Sequence, residues 1–217
     1  MTDLLLYSYW RSTAAYRVRI ALNLKGVAYE TAPVDLMADG GQQHAADYTA
    51  LNPSHLVPTL QLNDGTALTQ SLAIVEYLDI THPEPPLLPA DLIQRAHVKA
   101  AALVIAADMQ PINNLRVVQH LGAKFGATSA DKSEWMRHWM KSGFDALLKM
   151  VKPDTPFAFG DTAGFADICL TAQYYNARRW GLDLTPYTRL TEIEQNCLAL
   201  PAFDAARPEN QPDATSE

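Results

Sequence analysis

Leu4-Leu5-Leu6-Tyr7-Ser8-Tyr9-Trp10-Arg11-Ser12 carries a short apolar strand into a polar turn, and a helix follows at once. The spacing predicts that helix from Thr13 to about Lys25, with Val18, Ala21 and Leu22 on one face and Arg17, Arg19 and Asn23 elsewhere. Gly26 stops it, and a second strand, Ala28 to Val34, comes next. Ser12 therefore stands where a strand ends and a helix begins. The first N–H groups of a helix lack helical partners, and the helix dipole adds partial positive charge there. Such a junction suits an anion, and a thiolate is one. Serine before a helix is also an ordinary N-cap.

Working outward, Asn52-Pro53-Ser54-His55-Leu56-Val57-Pro58-Thr59-Leu60-Gln61-Leu62 holds an apolar strand that opens at Pro58. Proline cannot donate to a sheet ladder, so Pro58 belongs at a strand start or edge, where the cis isomer is open to it. Val57 would then present a free backbone N–H and C=O. Asp64-Gly65 turns the chain into Thr66-Ala67-Leu68, and Gln70-Ser71 opens a helix with Leu72, Ile74, Val75 and Leu78 on its apolar face. That helix ends by His82, before Pro83. Strand, helix, strand, hairpin and helix thus fill residues 1–82.

Ser12, Val57-Pro58 and Gln70-Ser71 in this order resemble the glutathione site of a glutathione transferase. Tyr7-Ser8-Tyr9-Trp10-Arg11-Ser12, Arg17-Val18-Arg19-Ile20-Ala21-Leu22, Asp39-Gly40-Gly41-Gln42-Gln43 and Asp183-Leu184-Thr185-Pro186-Tyr187 resemble the zeta class, over nearly the whole chain. That class includes maleylacetoacetate and maleylpyruvate isomerases. The resemblance implies a thioredoxin-like α/β N-terminal domain followed by an all-α C-terminal domain. It implies glutathione as cofactor, with Ser12 assisting its thiol and Thr13 next in line. Val57, before a cis-Pro58, would pair with the cysteinyl backbone, and Gln70-Ser71 would hold the γ-glutamyl end. Gln43, Gln110 and Asn114 carry over as secondary contacts to the tripeptide's carboxylates.

Cis–trans isomerisation of a conjugated diketo acid needs a nucleophile that adds to the double bond, lets it rotate as a single bond, and leaves. A glutathione thiolate does this without being consumed. An ordinary thiol titrates near about 8.5, so a hydroxyl hydrogen bond and a helix N-terminus would be used to lower it. Substrate carboxylates and a transient enolate call for arginine, whose planar fork matches a carboxylate and keeps its charge. Arg11, Arg116 and Arg179 are the candidates, and the resemblance favours Arg179 over Arg178. Many zeta enzymes carry a cysteine two residues after the serine; Ala14 stands there instead. That and Arg116 point toward maleylpyruvate, whereas Asp39 to Gln43 and Tyr7-Ser8-Tyr9 point toward maleylacetoacetate, the reading adopted. Conjugation of glutathione to α-haloacids, or a non-catalytic binding module, are the rival functions.

Composition agrees with an ordinary soluble globular protein: 217 residues, 48% apolar, 19% charged. A net charge of -7 argues against non-specific nucleic-acid binding, which needs a basic face. No apolar run approaches the roughly 18 residues of a membrane span, and Met1-Thr2-Asp3 lacks the basic start of a secretory signal. Cys169 and Cys197 fit no metal or redox spacing and the scattered histidines no metal site, so a reduced, cytoplasmic protein is expected. The proline cluster at residues 83–89 reads as a linker, and residues 90–217 as a helical substrate-binding domain. There Ile93 to Leu121 is helical but interrupted by Pro111. Further helices run from about Ala130 to Val151, with Trp135, Trp139, Phe144, Leu147 and Leu148 on the apolar side, from Phe165 to Trp180, and after Thr188; the polar tail from Arg207 is an extended strap or partly disordered. Gly164 takes the place of the family's capping hydroxyl at the start of the core helix, with Asp167 still able to reach the cap backbone. A homodimer through the early helices of the second domain is implied by the resemblance.

Overall fold

The computed structural model describes residues 4–215; Met1-Thr2-Asp3, where no secretory signal is expected, lies outside them. Among the described residues one sheet orders its four strands β2-β1-β3-β4. They are β1 (Leu5–Ser8), β2 (Glu30–Pro33), β3 (Thr59–Gln61) and β4 (Ala67–Thr69). β1 and β2 are parallel because α1 (Thr13–Leu24) crosses between them, whereas the Asp64-Gly65 turn leaves β3 and β4 antiparallel. α2 (Ala46–Leu51) precedes β3, and α3 (Ser71–Thr81) follows β4. This is a thioredoxin-like sheet, with Leu6, Val18, Ile20, Leu22, Leu60, Ile74 and Leu78 in its core.

The chain divides into two compact units, and the division differs from the sequence reading at its far end. Of the described residues, one unit comprises 4–86 together with 199–215, and the other spans Leu87–Leu198. The tail joins the first unit because α1 is buried on nearly every side. Arg17 and Arg19, expected away from the apolar face, are 2% and 0% exposed. A buried guanidinium must find acceptors. Arg19 donates to Ser8 Oγ (3.1 Å), to the Trp10 carbonyl (3.0 Å) and to the Ala206 carbonyl (3.0 Å). Asn23 donates to the Ala202 carbonyl in α9 (Pro201–Ala205), and the Trp10 N–H donates to Asp213. The tail is thus a bonded strap with one short turn at Pro208–Asn210.

The second unit is helical. α4 (Leu92–Leu103) runs into a π-helical segment, Val104–Met109, and Pro111 separates this from α5 (Leu115–Phe125), as its missing N–H requires. α6 (Ser129–Leu147), α7 (Phe165–Arg179) and α8 (Thr188–Leu198) complete it. The buried stripe of α6 is Met136, Met140, Phe144 and Leu147, one residue round from the tryptophans expected there. Trp135 instead turns its indole N–H onto the Ile112 carbonyl (3.2 Å), and Asn113 donates to the Met136 carbonyl (3.3 Å). Together they pin the segment 110–114 against α6.

Gly164 has a different reason from the one its sequence position suggests. A Cβ there would stand 2.8 Å from the Leu87 carbonyl oxygen, which accepts from the Phe165 N–H at 2.9 Å. The glycine is required by this close approach. Gly164→Ser, although it supplies a capping hydroxyl, is expected to lower the melting temperature by about 5 °C in a thermal scan, overpacking outweighing the cap.

Candidate active site

Three segments meet at one end of the sheet because of register alone. Tyr7 pairs with Thr59, and Thr59 pairs with Thr69. β1 and β4 leave the sheet at that row while β3 enters it. Tyr9 to Ser12, Val57-Pro58 and Gln70-Ser71 are therefore neighbours.

Ser12 is the N-cap of α1: its Oγ accepts from the Ala15 N–H at 3.2 Å. Capping uses only the oxygen's acceptor capacity, so the hydroxyl proton stays available to donate to an anion. Cap and thiol-assisting donor are compatible roles for one serine. Thr13, the first residue of α1, is buried. Arg11, beside them, stacks its guanidinium 4.3 Å from the centre of the Trp10 ring.

The Val57–Pro58 bond is cis, and among the described residues nothing hydrogen-bonds the Val57 backbone N–H or C=O. The loop before it is held elsewhere: the Leu56 carbonyl accepts from Tyr48 Oη and Asn52 Nδ2, both at 2.6 Å. Gln70 has φ 68° and ψ 113°, sparsely populated for a non-glycine residue, and its side chain does not cap α3. That leaves an exposed amide beside Ser71. Ser71 is buried, and its Oγ accepts from Arg17 Nη1 at 2.9 Å. Because Oγ accepts from the guanidinium, the Ser71 hydroxyl proton is left available to donate. Arg17 escaped the sequence reading because a polar residue on a helix is ordinarily solvated; only its burial reveals the role.

Gln43 lies in the turn Gln42–His44, its amide folded over Gly41 (φ 103°), where a Cβ would meet its Nε2 at 2.5 Å. In the second unit, Gln110 follows the π-helical segment, and Asn114 caps α5, its side chain accepting from the Arg116 N–H at 3.2 Å. Arg116 is exposed. Arg178 and Arg179 separate clearly. Arg178 makes a two-pronged ion pair with Glu194, whose side chain is 3% exposed. Arg179 is exposed, with its guanidinium over the adjacent Trp180 ring at 5.5 Å. The neighbour expected to be a plain surface residue is thus structural.

Neither cysteine has the setting of a reactive thiol. Cys169 and Cys197 are buried and not joined by a disulfide, and burial pushes the Cys197 thiol upward. Among the described residues no group of three or more metal-ligating side chains occurs, and none of their helices is long and apolar enough to cross a membrane.

The family model for the glutathione S-transferase N-terminal domain matches residues 11–81. The holo structure of a maleylpyruvate isomerase described as a bacterial zeta-class glutathione S-transferase superposes with a TM-score of 0.94 at 41% identity, covering 97% of this chain and 100% of that one. This chain belongs to the zeta class of glutathione transferases. A probable maleylacetoacetate isomerase of Vibrio cholerae is 49% identical over 215 residues, 99% of this chain and 100% of its own. A maleylacetoacetate isomerase structure from Anaeromyxobacter dehalogenans, solved with glutathione in its active site, is 45% identical with a TM-score of 0.87, covering 98% of each chain.

Proposed function

We propose that this zeta-class protein is a glutathione-dependent cis–trans isomerase that converts maleylacetoacetate to fumarylacetoacetate. The carrying observation is the row formed by Ser12, the unpaired Val57 backbone and Ser71 at one sheet end. The residues fit glutathione: a tripeptide with two carboxylates and a thiol needs an extended backbone partner, hydroxyl and amide donors, and a donor at a helix N-terminus. Glutathione, when bound, supplies the thiolate that adds to the conjugated double bond and leaves it after rotation. Ser12 donates its hydroxyl proton toward the sulfur and holds it anionic, helped by the N-terminus of α1. The Val57 N–H and C=O pair with peptide backbone, fixing the cofactor's direction. Ser71 and Gln70 donate to its γ-glutamyl end, with Arg17 behind Ser71. Gln43, Gln110 and Asn114 serve the tripeptide's other polar groups.

Arg179 is the choice for a substrate carboxylate, because Arg178 already answers Glu194; Arg11 and Arg116 are further carboxylate partners. Arg179→Ala should raise the KM for the diketo acid by on the order of tenfold to a hundredfold, the effect of a lost bidentate pair, with glutathione affinity unchanged. Arg178→Ala should instead lower the melting temperature, since it strands a buried carboxylate. Calorimetric glutathione titration beside initial rates separates the two.

Maleylpyruvate is the second reading, favoured by the close superposition on a maleylpyruvate isomerase and by Ala14. Freshly generated maleylacetoacetate and maleylpyruvate, followed by loss of absorbance with and without glutathione, decide between them. Faster glutathione-dependent isomerisation of maleylacetoacetate with no net thiol loss is expected. Stoichiometric thiol consumption with α-haloacids would replace isomerase by transferase. Exposed Leu92, Ile93 and Leu103 on α4 support a homodimer that covers them; a monomer in sedimentation velocity would refute it. The reading places the enzyme in the cytoplasm, where tyrosine breakdown would supply its substrate.

A further inference from the structure

Two exposed histidines that no motif explains join the segments carrying Gln43 and Val57. His44 Nδ1 lies 3.1 Å from His55 Nδ1, and His44 Nε2 lies 3.2 Å from Gln43 Nε2. The rings stand 5.3 Å apart at 45°. Two imidazole nitrogens at hydrogen-bond distance share one proton, so one donates and the other accepts. Gln43 Nε2 is an amide donor, which makes His44 Nε2 the acceptor and puts the His44 proton on Nδ1. His55 Nδ1 then accepts it. The direction of the chain is fixed: Gln43 to His44 to His55.

This relay orients the Gln43 amide. One of its N–H bonds goes to His44; its body rests on Gly41. The second N–H stays open for an acceptor. We infer that His44 and His55 are positioning residues for glutathione, holding Gln43 so that this second N–H meets a carboxylate of the tripeptide. The inference rests on the reading that Gln43 contacts glutathione. A glutamine immobilised in advance loses less side-chain freedom when the ligand arrives, so the relay strengthens binding without touching ligand.

His55 itself has φ 57°, a left-handed conformation that asparagine tolerates well. His55→Asn keeps that backbone and offers Oδ1 as an acceptor near the place of Nδ1. His55→Ala removes the acceptor.

The test measures glutathione Kd by calorimetry, and kcat at saturating glutathione, for the wild type, Gln43→Ala, His55→Ala, His55→Asn and the Gln43→Ala/His55→Ala double variant. His55→Ala should weaken glutathione binding about fivefold to tenfold with kcat within about twofold of wild type. His55→Asn should restore the affinity, and His55→Ala should add nothing on the Gln43→Ala background. Wild-type affinity in His55→Ala, failure of His55→Asn to restore it, or additive losses would each overturn the relay while leaving Gln43 a contact. Wild-type affinity in Gln43→Ala would overturn the Gln43 contact and the relay with it. No glutathione binding by the wild-type protein would overturn the functional reading on which both stand.

Discussion

Ser12→Ala is expected to keep glutathione affinity within about threefold and to reduce turnover by about 10²-fold to 10³-fold, the scale of one lost donor to a reacting anion. The Oγ already accepts from the Ala15 N–H, so its remaining capacity is the proton it can donate. Without that donor, the bound thiol returns toward its ordinary value near about 8.5. The thiolate fraction at neutral pH falls, and the rate profile moves to higher pH. Ser12→Thr keeps a hydroxyl and should retain most of the activity. The loss of the cap alone costs about 1 kcal/mol of stability and cannot account for such a change in rate. The measurement is kcat against pH for the wild type and both variants. Unchanged turnover in Ser12→Ala would move the assignment to Thr13.

The largest stability effect is expected at Asp167. Its carboxylate accepts from the Gly164 N–H at 2.9 Å, closing the capping box, and from the Ala158 N–H at 2.8 Å, tying a loop to the start of α7. Asp167→Ala leaves both N–H groups unpaired at a buried site, at about 2–5 kcal/mol. The melting temperature should fall by on the order of 10 °C. Burial also pushes this carboxyl up from 3.8 to about 6, against the two backbone hydrogen bonds and the charge of Arg189. The sign follows from the raised value. The folded state binds the proton more tightly than the unfolded chain, so this group's contribution is fully present below about pH 4 and is lost as pH rises through about 6. Asp167→Asn removes that slope. Urea titrations from pH 4.5 to 7 should show the wild type losing stability relative to Asp167→Asn as pH rises; a constant gap would refute the raised value.

Much of the fold was legible along the chain because it depends on local chemistry. The apolar run Leu4 to Tyr7, the turn at Asp64-Gly65, the proline at residue 58 and the break at Pro111 each act over a few residues. Ser12 could be named from its place between strand and helix. Gly164 shows the limit: its residue type suggested a weak cap, while the actual constraint is the Leu87 carbonyl, far away in sequence.

Sequence by itself determined the α/β first part, the helical second part and the order Ser12, Val57-Pro58, Gln70-Ser71. Register decided that these come together, since only the pairing of Tyr7, Thr59 and Thr69 in one row brings three distant segments to one edge. Tertiary burial decided that Arg17 and Arg19 are internal, that Arg178 belongs to Glu194, and that the tail returns to α1. The physical reason is common to all of these. Helical periodicity and turn chemistry are carried by neighbours, whereas the partner of a buried charge is chosen by whatever the fold places within hydrogen-bond reach.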